Sequence, residues 1–170
     1  MAADLCPARP EADPVRCAAE ALLRRLRKEG ALPPLHPVVD LCNAISAAYA
    51  IPVAVLDTAQ VSEYLHVRYA ADDEHYLTFG GETEQPGTGE VIFADAAGHA
   101  HARRWTNRQS GRSCVEAGTR SVLVVAEAVH ANAQADMPDL ITAVAAEVSA
   151  AGAVTSCPAI LAAHAPRFAW

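Results

Sequence analysis

Apolar residues recur along this chain in two rhythms, a helical period near each end and short β-branched blocks between. Over residues 13–30, Val15, Ala18, Ala19, Leu22 and Leu26 form one stripe, while Arg16, Glu20, Arg24, Arg27 and Lys28 lie away from it. Asp13 as N-cap, Pro14 at the first helical position and Gly30 as terminator punctuate that helix. Pro33 and Pro34 mark a linker, and a second helix is predicted from Pro37 with Val38, Leu41, Ile45 and Ala48 inward. A late amphipathic helix covers 137–151, with Leu140, Ile141, Val144 and Val148 on its apolar side and Gly152 ending it. Strands are predicted at 53–56 after Pro52, at 64–69, at 75–79 running into a Gly80-Gly81 turn, at 91–93 and at 122–125. Residues 82–89 read as a polar loop, and 158–170 give no clear pattern. This order of elements predicts an α+β fold with a mixed β-sheet core and flanking helices.

Length and composition narrow the picture. A chain of 170 residues that is 52% hydrophobic can close one core, so a single globule is expected, with residues 1–34 as a helical extension packed on a domain of 35–170. The net charge of -7 argues against non-specific coating of nucleic acid, which relies on many neutralised phosphates. Five cysteines, an odd number with no C-x-x-C pair, fit neither a disulfide framework nor a zinc knuckle, and a reducing cytoplasm is the simplest setting. With no signal-like segment and no apolar run of spanning length, the expectation is a cytoplasmic protein without a membrane partner.

Charge then singles out residues 89–127. From Arg103 to Arg120, Arg103, Arg104, Arg108, Arg112 and Arg120 face only Glu116, a local reversal of the chain's sign. The arginines suit phosphate contacts and Trp105 suits stacking on a base, against the plainer alternatives of solvated charges and a core ring. His36, Asp40 and Asn43, spaced i, i+4, i+7, can line one side of the second helix and face a cleft; equally, His36 and Asp40 can cap and pair at its start. Glu127 ends an apolar strand, where a carboxylate needs a partner, either a ligand or an arginine such as Arg104 or Arg120. His99 and His101 have the spacing of a metal pair but lack a third ligand, so surface histidines and no metal are expected. Cys42 and Cys114 read as small buried hydrophobes before they read as nucleophiles of a Cys-His hydrolase.

The segment HPVVDLCNAISAAYAIPVAVLD resembles the B3/B4-type editing module of the phenylalanyl-tRNA synthetase β subunit, whose pattern places Val38, Val39, Asp40, Asn43, Pro52 and Asp57 without a gap. VRYAADDEHYLTFGG is similar to a second motif of that family through Arg68, Ala70, Glu74 and Gly81, EVIFAD to its V-I-x-D strand, and Thr119 with Glu127 to its terminal T…E pair. The likeness runs from Leu35 to about Ala128. Cys42 stands where the family has threonine, Ala54 where it has histidine, and RRWTNRQS replaces its glycine-rich loop, as in free-standing relatives of the module.

The resemblance implies an editing deacylase that acts in trans on mischarged aminoacyl-tRNA, using no cofactor. Its partner would be the acceptor CCA end of tRNA, with transient contact to a synthetase compatible with that role. An aminoacyl ester is activated, so hydrolysis needs a positioned water and oxyanion stabilisation more than a strong nucleophile. Asn43, Asn107 and backbone amides of the basic loop are the candidates for that task, with His36 as general base. Asp40, Arg104 and Glu127 are the expected substrate-binding residues, and the resemblance puts Glu127 in the amino-acid pocket. Arg103, Trp105, Arg108 and Arg112 are the expected tRNA contacts. Two alternatives remain open: a non-catalytic module that binds tRNA ends or an amino acid, and a cysteine-dependent hydrolase of a small ester or amide.

Overall fold

A computed structural model describes residues 17–155 and 158–170. Helix α1 is Ala18–Glu29, with Gly30 closing it in a left-handed conformation and its amide bonded back to the Leu26 carbonyl. The predicted start of this helix at Asp13 and Pro14, with Val15 and Arg16, falls outside the described residues. Helix α2, Pro37–Tyr49, begins as its sequence dictates: Pro37 occupies the first turn, and the His36 ring accepts the Val38 amide. Ala48 is exposed, because Cys42, Ile45 and Ser46 set the buried stripe one step away from the one expected.

The strands follow as β1 Val53–Asp57, β2 Leu65–Tyr69, β3 Tyr76–Leu77, β4 Thr83–Glu84, β5 Val91–Asp95, β6 Ala100–Arg103, β7 Arg108–Gln109 and β8 Val122–Ala126. The expected loop at 82–89 thus contains a short strand: β4 returns on β3 through the Gly80-Gly81 turn, pairing Tyr76 with Glu84. Helix α3, Ala133–Ala150, starts before the expected Met137, on alanines that favour helix, and carries Pro138 within it. All strand pairs between named strands are antiparallel. Among the described residues, three α-helices and these sheets make an α+β fold.

Two sheets position the site. A four-stranded sheet runs β2-β5-β6-β7, and a ribbon pairs β1 with β8 in register from Val53 with Ala126 to Asp57 with Val122. Gln109 ties them together, its side-chain amide donating to the Val55 carbonyl at 2.6 Å. Ile45 of α2, Leu140 of α3 and Ile51 in the link to β1 cover the end of the ribbon, and Val53, Ala126, Ala128 and Met137 pack against them. Strand alternation then decides the direction of Glu127: with Ala126 and Ala128 on the helical core, its side chain is on the other face, toward the β6–β7 turn. Gly111 has a separate steric duty, since a Cβ there would meet the Thr78 carbonyl oxygen at 2.8 Å.

Candidate functional site

Residues 104–107 connect β6 to β7 and gather several expected site residues. The Thr106 amide donates to Glu127 Oε2 at 3.2 Å. No arginine pairs with Glu127 among the described residues, so the expected ion pair with Arg104 or Arg120 is absent there; Arg104 lies 3.6 Å from Glu90 instead. Burial raises the Glu127 pKa, with the Thr106 amide opposing it in part. A carboxyl group held in this way favours either its proton or an incoming cation.

Asn107 is committed at both ends of its amide. Its Oδ1 accepts the Ala18 amide at 2.8 Å, and its Nδ2 donates to the Arg104 carbonyl at 2.8 Å. It therefore joins the start of α1 to the turn. His36 is likewise engaged, as the cap of α2, through a long 3.4 Å bond from the Val38 amide. Asp40 accepts the Leu35 amide at 2.9 Å, so of the two local arrangements open for His36 and Asp40 the structure holds the capping one, without a bond between them. Asp40 and Asn43 do share a groove of ≈ 590 Å³ between α1 and α2, with Leu23, Leu26 and Pro34 among its walls. Asn43 has no hydrogen-bond partner among the described residues, and His36 does not line this groove.

The basic stretch meets acids that lie earlier in the chain. Arg103 is only 5% exposed and forms a two-pronged pair with Glu90, at 2.8 Å on both nitrogens, plus a third bond to Glu84 at 2.5 Å. The hydrogen bonds that Arg103 donates to Glu90 raise its pKa despite burial, so it stays charged and occupied. This corrects the expectation of a free cationic island, because β4 and the residue before β5 deliver two glutamates to it. Arg108 also reaches Glu84, at 3.2 Å, and both Arg103 and Arg108 lie over the Tyr76 ring at 5.2 Å. Arg104, Trp105 and Arg112 are the outward members of the set, and Arg112 has no carboxylate partner among the described residues.

Three further expectations meet geometry. His101 is not a surface residue: it is fully buried, with Nε2 3.1 Å from Asp95 Oδ2, while its Nδ1 finds no partner. Burial keeps its pKa low. Burial would raise Asp95, but the His99 amide, the two imidazoles and the Ser62 amide outweigh it and hold the carboxylate strongly acidic. Cys42 is 1% exposed and burial pushes its thiol up to about 11, so almost no thiolate exists at neutral pH. Burial first, then Glu116, also raises Cys114. Neither cysteine is poised as a nucleophile. Among the described residues no group of three or more His, Cys, Asp or Glu could hold a metal ion, and no helix is long and apolar enough to cross a membrane.

Of the residues that resemblance singled out, several prove to be scaffold. Glu74 is fully buried, takes both bonds of the Ala71 amide and pairs with Arg68. Asp57 accepts the Thr119 hydroxyl at 2.7 Å, fixing the approach to β8. Thr106, Glu84 and Glu90 are site residues that sequence reasoning missed.

An α+β domain whose sheet turn delivers an amide to a half-buried glutamate, beside exposed cationic and aromatic side chains, is the class these features define. The profile of the B3/4 domain matches residues 11–139, and the chain belongs to that family, the domain found in the phenylalanyl-tRNA synthetase β subunit. The match takes in α1 along with the sheets. No curated protein matches the chain by sequence.

Proposed function

We propose that this chain is an editing deacylase, hydrolysing the ester of mischarged aminoacyl-tRNA in trans with a positioned water and no metal. The observation that carries this is Glu127: a half-buried carboxylate with a raised pKa, one backbone amide and no cation partner among the described residues. An α-ammonium group of a bound aminoacyl ester supplies the missing charge and lowers that pKa. The family membership supports a tRNA-related role of editing or binding.

Around that anchor, the outward Arg104, Trp105 and Arg112 contact the CCA end, with Arg108 beside them and Arg103 as their buried support. Asn43 is the side-chain amide left free to orient water, and backbone amides of the 104–107 turn serve the oxyanion. His36 acts as general base only by giving up its long cap bond to Val38.

The second reading is a module that binds tRNA ends without hydrolysis. It is favoured by the engagement of Asn107 and His36 in structural bonds. The two separate in a panel of mischarged tRNAs incubated with purified protein, with and without chelator. Amino acid released in both conditions supports the deacylase. Binding without release from any member of the panel supports the module.

A further inference from the structure

The turn between β6 and β7 is strained where it is most exposed. Arg104 and Trp105 hold consecutive left-handed conformations, φ 50° and 63°. Asparagine and glycine adopt that region readily, and residues with a longer side chain resist it. Neither favourable residue stands here. The flanks of the strained pair are fixed on every side. Arg103 is clamped by Glu84 and Glu90, and the Trp105 amide donates to the Val91 carbonyl at 3.0 Å. Asn107 holds the Arg104 carbonyl and the start of α1, and the Thr106 amide is bonded to Glu127. Strain retained by so many surrounding bonds points to a use.

What the strain presents is an aromatic ring. Trp105 is 48% exposed, and the strand residue that holds its amide, Val91, is the register partner of Tyr69, itself 52% exposed. The backbones of the two open rings therefore flank one residue of β5. Arg104, the residue before Trp105, has a side chain that is 46% exposed. Aromatic faces beside a guanidinium suit unpaired bases, since any base offers a π-face and the cation takes the phosphate.

We propose that Trp105 and Tyr69 form a stacking platform for the unpaired terminal base of an RNA strand, and that the backbone strain at 104–105 is maintained to present it. Asn107 is then a positioning residue that locks the turn to α1. This deepens the tRNA reading above and rests on it.

The test uses a short, dye-labelled, unacylated single-stranded RNA ending in CCA, with binding followed by anisotropy. Tyr69→Ala should weaken binding by about tenfold, the scale of one lost base stack. Arg104→Asn combined with Trp105→Gly should abolish binding while the melting temperature holds or rises, because the strain is relieved. Asn107→Ala should weaken RNA binding and make Trp105 more accessible to acrylamide, read in a Trp170→Phe background where Trp105 is the sole tryptophan. Unchanged RNA binding in Tyr69→Ala or in the double variant overturns the platform, as does a fall in the double variant's melting temperature. Failure of the deacylase reading is distinct: the RNA binds through these residues, yet no mischarged tRNA is hydrolysed.

Discussion

Glu127 Oε2 receives the Thr106 backbone amide at 3.2 Å and no cation among the described residues, so its charge is compensated only in part. Because burial raises its folded pKa above the unfolded value, the protonated form is the one the fold favours. The sign of the linkage follows: this group makes stability fall as pH rises from the unfolded value of about 4.3 through the folded one. Glu127→Gln should remove that slope and raise the melting temperature at pH 7. Turnover should drop by about tenfold or more, the scale of a lost charge-assisted bond. Melting curves between pH 4 and 8 check the first part; a variant less stable than wild type at pH 7 would contradict it.

The Arg103 clamp gives a contrast between neighbours. Glu90→Ala leaves a guanidinium that is 7% exposed with one of its two carboxylates, and should destabilise the domain by about 3 kcal/mol. Arg104→Ala, removing an exposed side chain with only a 3.6 Å contact to Glu90, should change stability by less than about 0.5 kcal/mol. Urea denaturation of the two variants reads the difference directly.

Acid stability should be governed by Asp95 and His101. His101 has a lowered pKa in the fold, so its protonation favours the unfolded chain as pH falls below about 6.5. Asp95 has a lowered pKa as well, so its contribution is present above about 3.9 and is lost as pH falls toward the folded value. Stability should therefore decline in two stages on acidification. Asp95→Asn should cost about 2 kcal/mol at pH 7, since it turns one of the two oxygens that together accept five hydrogen bonds from Ser62, Ala97, His99 and His101 into an amide donor. Denaturation midpoints measured from pH 3 to 8 show whether both stages exist.

Local chemistry was legible in the sequence and long-range charge pairing was not. The start of α2 is written in His36 and Pro37, and the end of α1 in Gly30, because caps act within a few residues. The β-branched blocks of β1, β5 and β8 declare themselves through composition. Glu84 and Glu90 are 19 and 13 residues before Arg103; the return of β6 on β5 brings Glu90 to it, and the pairing of β4 with β3 brings Glu84. His101 looked like a surface histidine because its partner Asp95 lies across a turn. The strain at Arg104 and Trp105 had no sequence signal, since neither residue type announces a left-handed backbone. The two structural bonds of Asn107 had no sequence signal for a related reason: a side chain's type does not reveal its partners.

The central claim is most directly tested by hydrolysis of mischarged aminoacyl-tRNA by the purified chain, compared with Glu127→Gln and with chelator present. Amino acid should be released from at least one mischarged tRNA, unaffected by chelator and reduced about tenfold or more in Glu127→Gln. No release from any mischarged tRNA, or release that Glu127→Gln leaves intact, would contradict it.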